Sequence, residues 1–368
     1  MSAGDGSKVR WAVIGTGNIC SDFCAALKLV DNAETVAVAA RELPKAQAFA
    51  KRFGIGKAYG SYDELARDRS LAVDVCYVGL INTKHKDVVC ELLRNGRNVV
   101  CEKPLGMTVE EVKEMVKVAR DNKSFLTEGF WTRHFPAFKK IDEIVSEGTI
   151  GRVSAIHCDF GFLAAQDSRT RLKELGGGAI YDIGCYTVQY ATHLLGTPAK
   201  SWRPLSIAAA GVMDPVEQVD LNGGISMTFD DKSDPSARLR TLAVLHFGTD
   251  GRRSQTARIL GDKGHVEVHR IMHCPTHVTC VLYTDGGSVR DDHTFELPAW
   301  RPGEGGIPED FRFFFANSEG LAYEAERVGQ CVKEGLLEMP ECPLDESIAI
   351  AQIMQTAREQ MGGQQMGE

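Results

Sequence analysis

No stretch of this 368-residue chain stays apolar over the roughly 18–20 residues that a membrane-spanning helix requires, so no membrane partner is expected. Positive charge is also scarce. The 42 basic residues are outnumbered by 50 acidic ones, and the formal net charge of -8 argues against binding to nucleic acid or to an anionic membrane surface. The first ten residues are small and polar and lack the apolar segment of a secretory signal, which predicts a cytoplasmic protein.

Paired cysteines are missing too. The eleven cysteines are scattered singly and none forms a Cys-x-x-Cys pair, which predicts reduced thiols rather than a zinc site or a disulfide scaffold. His157, His265 and His269 show no spacing typical of metal ligands, so we interpret them as strand residues and expect no metal. There is no internal repeat and no low-complexity linker, which favours compactly joined domains.

What the chain does have is the composition of a globular protein, with 43% of residues hydrophobic and 25% charged over a length that suits two domains. Short apolar runs alternate with helical patterns in the first third. The predicted strands cover residues 9–14, 35–40, 74–78, 98–101 and 124–128, and predicted helices between them include 44–53, 86–95 and 108–121. This alternation predicts a doubly wound parallel sheet, an α/β domain whose ligands bind at the carboxyl ends of its strands.

A glycine-rich turn, Gly15-Thr16-Gly17-Asn18-Ile19, follows the first predicted strand and opens the first helix. Backbone N–H groups in such a turn can face a pyrophosphate, so we predict a dinucleotide site; a purely structural turn is the alternative. The third position of the usual glycine fingerprint is Cys20, which is small enough to keep the helix close to the strand.

The residue after the second strand distinguishes between cofactors. Folds that bind NAD usually place Asp or Glu there to hold the ribose 2′-hydroxyl. This chain has Arg41, whose guanidinium can form charge-assisted hydrogen bonds to a 2′-phosphate, and Glu42 follows it. We therefore predict NADP as the cofactor and keep NAD as a weaker alternative.

Two further motifs are candidates for the chemistry. Lys103 in Cys101-Glu102-Lys103-Pro104 follows a predicted strand, and Asp182 and Tyr186 lie four residues apart on one helical face after three consecutive glycines. A tyrosine with the ordinary pKa of about 10 is a poor base for a substrate hydroxyl. A nearby lysine would lower that pKa and hold the substrate oxygen, while Asp182 would orient the lysine or a substrate hydroxyl. The predicted chemistry is hydride transfer to a nicotinamide.

Together, Gly15-x-Gly17-x-Ile19, Glu102-Lys103-Pro104 and the segment from Gly176 to Tyr186 resemble the glucose–fructose oxidoreductase / inositol dehydrogenase family. Residues 57–62, 131–136 and 322–325 are similar to its dimeric dihydrodiol dehydrogenases, which also act as NADP-dependent D-xylose dehydrogenases. The resemblance spans nearly the whole chain. It implies that Lys103 is the catalytic lysine and Tyr186 the general acid/base.

The resemblance also implies an α+β domain with a large, open, mostly antiparallel sheet, whose outer face often makes a homodimer. Residues 152–160, 224–229, 242–247 and 264–269 are predicted strands of that domain. The run at 242–247 is more continuously apolar, as expected of a central strand covered on both faces. We place the NAD(P)-binding domain at residues 1–135 and the substrate and dimerisation domain at 136–368, with the closing helix at 348–361 able to pack on the first domain.

Two stretches depart from the family pattern. Leu80-Ile81-Asn82 stands where members often have Thr-Pro-Asn, although the matching His85 follows. Residues 213–236 are rich in aspartate, contain the pair Gly223-Gly224 and are longer than in similar relatives. The resemblance therefore does not define the substrate near that segment.

The remaining candidates have two interpretations each. His85 either contacts the nicotinamide or packs on its helix, and Glu102 is a cofactor candidate beside Lys103. Trp131 and Phe160 either wall the nicotinamide and substrate or fill the core, and Arg133 either joins that wall or holds a cofactor phosphate.

Three functions follow from these motifs. The first is an NADP-dependent dehydrogenase of a pentose, a hexose or a trans-dihydrodiol. The second is a dehydrogenase of the same fold for an inositol-like polyol, or one that retains its nucleotide. The third is a protein that senses NADP and regulates a partner, although such a protein needs neither Lys103 nor Tyr186.

Overall fold

The computed structural model describes residues 8–231 and 239–362. Residues 232–236, the end of the segment that departs from the family pattern, lie outside these ranges. Within the described ranges no helix combines the length and the apolar character that crossing a membrane demands. The chain divides into two compact units. The first comprises Met1–Leu105, Lys113–His134 and Leu297–Leu344, and the second comprises Gly106–Val112, Phe135–Glu296 and Asp345–Glu368.

The first unit contains a six-stranded sheet in which every neighbouring pair is parallel. Its strands are β1 (Val9–Ile14), β2 (Ala33–Ala39), β3 (Lys57–Tyr59), β4 (Val75–Val78), β5 (Val99–Glu102) and β6 (Leu126–Gly129). The helices that alternate with them along the chain are α1 (Asn18–Leu27), α2 (Leu43–Phe53), α3 (Tyr62–Arg67), α4 (His85–Arg94) and α5 (Val109–Asn122). The strand order β3-β2-β1-β4-β5-β6 is that of a doubly wound fold.

Burial explains why this sheet was readable from the sequence. All residues of β4, β5 and β6 are buried, so these strands are covered on both faces, and β4 and most of β5 are short apolar runs. The predicted strands are confirmed to within about two residues. The edge strand β3 was missed because three residues are too few to show a hydrophobic pattern.

The second unit contains an eight-stranded sheet of order β14-β13-β12-β11-β7-β10-β9-β8. Its strands are β7 (Val153–Gly161), β8 (Ser206–Met213), β9 (Asp220–Asp230), β10 (Arg240–Gly248), β11 (Thr256–Gly261), β12 (Gly264–Val268), β13 (His277–Thr284) and β14 (Gly287–Thr294). Only the β7 and β10 pair is parallel; the other pairs are antiparallel. The predicted combination of an α/β sheet with an open, mostly antiparallel sheet is confirmed.

One face of this sheet is covered by the helices α6 (Pro136–Ser146) and α7 (Cys185–Leu195). The strand β10 shows the consequence, because Ala243 and Leu245 are buried whereas Leu242 and Val244 are 40% and 38% exposed. The expectation that residues 242–247 are covered on both faces is therefore wrong for the single chain. The run is apolar on both sides, but helices cover only one of them.

Two helices close the chain, α8 (Leu321–Lys333) in the first unit and α9 (Leu344–Gln360), which from Asp345 onwards belongs to the second. The side-chain amide of Gln360 accepts from the N–H of Ala209 at 2.7 Å and donates to the carbonyl of Ile207 at 3.1 Å. The closing helix is thereby tied to the edge strand β8.

All eleven cysteines lie in the described part of the chain, and every one of them is buried outside any disulfide. Burial disfavours the thiolate, so it raises the pKa of Cys20 and of Cys76 to about 12. The thiols act as small apolar side chains in the core.

Candidate active site

The turn after β1 requires glycine at its first position. Gly15 has a φ of +115°, and a Cβ there would lie 2.7 Å from the carbonyl oxygen of Gly79. Gly17 is different, because it is exposed and a Cβ there would meet no atom within 4 Å. The structure thus leaves open space above Gly17 for a ligand to approach the backbone.

The helix α1 begins directly at this turn. Its first residue, Asn18, is exposed, while Thr16 and Ile19 are half-buried. Its first turn has no acidic side chain, and Gly17 at the cap provides no side-chain hydrogen bond. The first N–H groups and the positive end of the helix dipole therefore fit an anionic pyrophosphate.

Cys20 replaces the third small residue of the glycine fingerprint and packs where the helix crosses the sheet. Its Sγ lies 3.2 Å from the carbonyl oxygen of Gly79. A Cβ on Gly79 would come within 2.6 Å of that sulfur, so the two segments are in close contact. The cysteine fills the gap that the facing glycine leaves.

Arg41 lies just beyond the carboxyl end of β2, exposed, and donates no hydrogen bond to any residue that the structure describes. The neighbouring Glu42 carboxylate accepts a 2.7 Å hydrogen bond from Lys45, which lowers the pKa of Glu42. The arginine is thus presented to solvent at the strand end, whereas the acid is already engaged on α2.

Lys103 directly follows β5 and is half-buried, and its peptide bond to Pro104 is cis. The preceding Glu102 is buried and its Oε1 accepts a 2.6 Å hydrogen bond from the Tyr77 hydroxyl. Burial and the nearby Glu102 charge raise the pKa of Tyr77 well above its usual value, so Tyr77 stays a donor. Glu102 therefore has a fixed orientation beside the candidate lysine.

His85 opens α4 and is fully buried. Its Nδ1 lies 2.8 Å from the carbonyl oxygen of Pro104, and its Nε2 lies 3.1 Å from that of Leu80. A neutral imidazole can donate to one of these carbonyls and a protonated one to both. His85 thus links the segment after β4 to the one that carries Lys103.

Trp131 and Arg133 lie on a short 3₁₀ turn after β6, and both are buried. The Arg133 guanidinium donates to the carbonyl of Glu341 at 2.8 Å and lies 5.5 Å from the Phe130 ring centre. These contacts hold Arg133 in the first unit, and its predicted role toward a phosphate stays a prediction.

In the second unit, Asp182 and Tyr186 share a helical segment, as predicted. Ile180–Gly184 winds as a π-helix that continues into α7, so the expected single α-helix is wider in its first turn. Both side chains are largely buried. Residues four apart still share a face in this winding, so the carboxylate and the phenol lie on the same side.

The glycine triplet before this segment makes room for a buried carboxylate. Gly178 has a φ of +130°, and a Cβ there would lie 2.6 Å from an oxygen of Asp220. The other carboxylate oxygen of Asp220 accepts a 2.6 Å hydrogen bond from the N–H of Ile180. Burial raises the pKa of Asp220 to about 6. Asp220 at the start of β9 thereby anchors the segment that carries Tyr186.

Sequence reasoning missed Arg169, which donates a 2.7 Å hydrogen bond to Asp182 Oδ1. Arg169 lies on a separate short turn and is partly exposed, whereas Asp182 is nearly buried. A charge-assisted bond of this kind fixes the carboxylate. No local sequence motif identifies Arg169, because its role depends on a contact with Asp182, 13 residues further along the chain.

His273 was missed as well. Its ring stacks on Phe160, with centres 4.4 Å apart and planes 14° apart, and lies 5.2 Å from the Tyr186 ring. The Phe160 and Tyr186 rings are themselves 5.9 Å apart. The structure thus groups three rings from β7, α7 and the segment between β12 and β13. A lone histidine in a connecting segment gives no signal of such a position.

Comparison with known proteins agrees with this architecture. The model of the oxidoreductase family GFO/IDH/MocA, described by its NAD-binding Rossmann fold, matches residues 9–130, and the GFO/IDH/MocA C-terminal domain matches residues 138–267. The trans-1,2-dihydrobenzene-1,2-diol dehydrogenase of Xenopus laevis is 39% identical over 96% of this chain and 98% of its own length. The human enzyme of the same name is 34% identical over 96% of this chain and 97% of its own.

A solved 3-ketoreductase from Actinomadura kijaniata, in complex with NADP and TDP-benzene, shares the fold at 22% identity. Its TM-score is 0.76, with 96% of this chain and 98% of the other covered. The predicted oxidoreductase with a nicotinamide-nucleotide Rossmann domain is confirmed. With both domain models matched in order and such relatives over nearly its whole length, the chain belongs to the GFO/IDH/MocA oxidoreductase family.

Proposed function

We propose that this chain is an NADP-dependent dehydrogenase that oxidises a CH–OH group of a D-xylose-like sugar or of a trans-dihydrodiol. The observation that carries the proposal is the side-chain group of the second unit. Tyr186 lies beside the rings of Phe160 and His273, and Asp182, one turn earlier, is held by Arg169. A phenol, an oriented carboxylate and flat walls suit a small substrate with vicinal hydroxyls. The dihydrodiol dehydrogenase relatives support the same substrate class.

The residues of the first unit fit a dinucleotide with a 2′-phosphate. The open turn at Gly17 and the uncapped start of α1 suit the pyrophosphate, and Arg41 suits the 2′-phosphate. When bound, the nicotinamide supplies the acceptor for the hydride that leaves the substrate carbon. The cofactor contacts that we propose are Gly15, Thr16, Gly17, Asn18, Ile19, Arg41, His85, Glu102, Lys103, Trp131 and Arg133.

Tyr186 and Lys103 handle the proton in this proposal. As the carbinol carbon is oxidised, the substrate hydroxyl gives its proton to the phenolate oxygen of Tyr186. In the reverse direction the Tyr186 hydroxyl gives that proton back. The Lys103 ammonium donates a hydrogen bond to the substrate oxygen and favours the phenolate by its charge. Asp182 accepts a hydrogen bond from a neighbouring hydroxyl group of the substrate.

Substrate selection depends on the ring group. Phe160 offers flat apolar surface, which suits a dihydrodiol ring, and His273 adds a polar edge to the same wall. An imidazole can stack and also hydrogen-bond to a hydroxyl. The wall therefore accepts either an unsaturated ring or a sugar that carries vicinal hydroxyls.

A cytoplasmic homodimer is part of the proposal. The open face of the eight-stranded sheet exposes Leu242 and Val244 from the middle of β10. A second copy covering this face would bury both side chains. Light scattering is expected to give twice the chain mass for the wild type and the single mass for Val244→Glu.

The test is turnover measured by the near-ultraviolet absorbance of the reduced nicotinamide. Purified protein is mixed with NADP or NAD and with D-xylose, D-glucose, inositol or a trans-dihydrodiol. Reduction of NADP with xylose or the dihydrodiol would support the proposal, whereas turnover of inositol alone would assign a polyol dehydrogenase. Tight NADP binding with no turnover across the panel would contradict it and favour an NADP-sensing protein.

A further inference from the structure

Three side chains on neighbouring strands at one end of the eight-stranded sheet form a group outside the proposed active site. His269 follows β12 by one residue, His277 begins β13 and Asp292 lies in β14. Each offers one ligand atom, a ring nitrogen or a carboxylate oxygen, and these three atoms all lie within 4.8 Å of one another. We propose that His269, His277 and Asp292 form a binding site for a zinc-class divalent metal ion.

The two imidazoles are already held side by side. The N–H of His269 donates to the carbonyl of His277 at 3.1 Å, and the rings stack with centres 3.9 Å apart and planes 13° apart. Backbone pairing and ring stacking thus bring the two imidazoles together without an ion. A neutral imidazole is the form that binds a metal ion.

The carboxylate faces the same space. Asp292 Oδ1 lies 3.6 Å from His277 Nε2, too far for a hydrogen bond. That nitrogen is buried and has no hydrogen-bond partner among residues 8–231 and 239–362. The buried Thr279 hydroxyl donates a hydrogen bond to Asp292 at 2.5 Å and lies 2.7 Å from His269 Nε2. These two contacts orient the carboxylate and the imidazole.

Ligand type and spacing select the class of ion. Two imidazole nitrogens and one carboxylate oxygen, with water in the fourth position, suit zinc and similar transition ions rather than calcium or magnesium. Ligand atoms that are each about 2.1 Å from one ion lie at most about 4.2 Å apart, so small side-chain rotations close the group. The nearby Arg290 is already paired with Glu267 at 2.9 Å, which limits its repulsion of a cation.

The position gives such an ion a structural role. The strand β14 is the edge of the sheet and almost all its residues are exposed. An ion bound to His269, His277 and Asp292 would cross-link β14 to the strands before it. Binding to the folded chain alone then raises the unfolding temperature. This proposal is independent of the dehydrogenase activity.

The test uses the untagged full chain, stripped with a chelator and then titrated with Co²⁺ or Zn²⁺. Tetrahedral Co²⁺ gives visible absorption bands, and a thiolate ligand would add a near-ultraviolet charge-transfer band. We expect one equivalent of cobalt per chain with visible bands and no thiolate band. We also expect Zn²⁺ to raise the Tm of the same protein.

Three variants decide where the ion binds. Both His277→Ala and the isosteric Asp292→Asn should lose the cobalt bands and the zinc-dependent rise in Tm. His265→Ala is the matched control, because His265 lies on the same sheet face but outside the group, and it should keep both signals. No bands and no Tm shift in the wild type would overturn the site, as would a thiolate band or an undiminished response in Asp292→Asn.

Discussion

The two units present their candidate site residues in different ways. In the first unit the groups proposed to face the pyrophosphate are backbone N–H groups, at a turn where Gly15 needs a positive φ and Gly17 leaves open space. In the second unit they are side chains, the rings of Phe160, Tyr186 and His273, which come from three separate parts of the chain. A backbone site recognises what all dinucleotides share, whereas a side-chain site can change its substrate by a single substitution.

This contrast bears on how the protein can be altered. Replacing a side chain in the second unit should change turnover or substrate choice while cofactor binding persists. Replacing a charged side chain at a strand end of the first unit should weaken only the binding of the cofactor group that it contacts. Substitutions at Tyr186, Arg41 and His273 test this separation, and one at Asp220 tests what holds the second site in place.

Tyr186→Phe is expected to have the largest effect. It removes the proposed proton acceptor but keeps the ring between Phe160 and His273, so kcat should fall by about 10²- to 10⁴-fold. The dissociation constant for NADP, measured by fluorescence titration, should not change. Tyr181→Phe is the control, because that buried tyrosine of the same segment donates to the carbonyl of Met107 and is not part of the ring group. Substantial activity in Tyr186→Phe would assign the proton to another group.

Asp220→Asn tests the anchor beneath Tyr186 through the pH dependence of stability. The folded pKa of about 6 lies above the unfolded value of about 3.9. The stabilisation from protonated Asp220 is therefore present below pH 4 and is lost as the pH rises through 6. The loss amounts to about 3 kcal/mol.

Urea unfolding of wild type and Asp220→Asn at several pH values between 4 and 7 measures this difference. The amide can still accept the N–H of Ile180 but cannot ionise, so its unfolding free energy should decline less over that range. Parallel curves for the two proteins would show that Asp220 does not titrate there.

Arg41→Ala should weaken the binding of NADP by about 10- to 100-fold, because it removes one charge-assisted contact. The affinity for NAD should stay nearly unchanged. Arg52→Ala on α2 provides an exposed arginine as a control. Binding of both cofactors is measured by titration. Equal losses for NADP and NAD in Arg41→Ala would remove the proposed 2′-phosphate contact.

His273→Phe should have the smallest effect and a selective one. Phenylalanine keeps the stacking on Phe160 but removes the polar edge, so kcat/KM for D-xylose should fall several-fold relative to that for a trans-dihydrodiol. NADP binding should remain as in wild type. An equal change for both substrates would show that His273 only packs.

The sequence predicted the first unit well because its signals are local. The strand β1 was placed to the residue, and the glycine turn and Arg41 are recognisable from their neighbours along the chain. Buried parallel strands are short apolar runs, and each is bounded by its own turn. The same applies to Asp182 and Tyr186, which share one helical segment.

The missed residues depend on contacts between distant parts of the chain. Arg169 gains meaning only through Asp182, and His273 only through Phe160. His269 was interpreted as a strand residue because its partner His277 belongs to the next strand, which antiparallel pairing brings alongside. The open face of β10 is not visible in residues 242–247 themselves either, since an apolar run does not show how many layers cover it.

The buried cysteines have a consequence for the lifetime of the protein in a cell. While the chain stays folded, its eleven buried thiols are shielded from oxidants and alkylating reagents. When a segment opens, its thiols become reactive together, and oxidation would then prevent refolding. Thiol labelling therefore reports the opening of individual strands and helices, and a reducing compartment protects this enzyme chiefly while one of them is open.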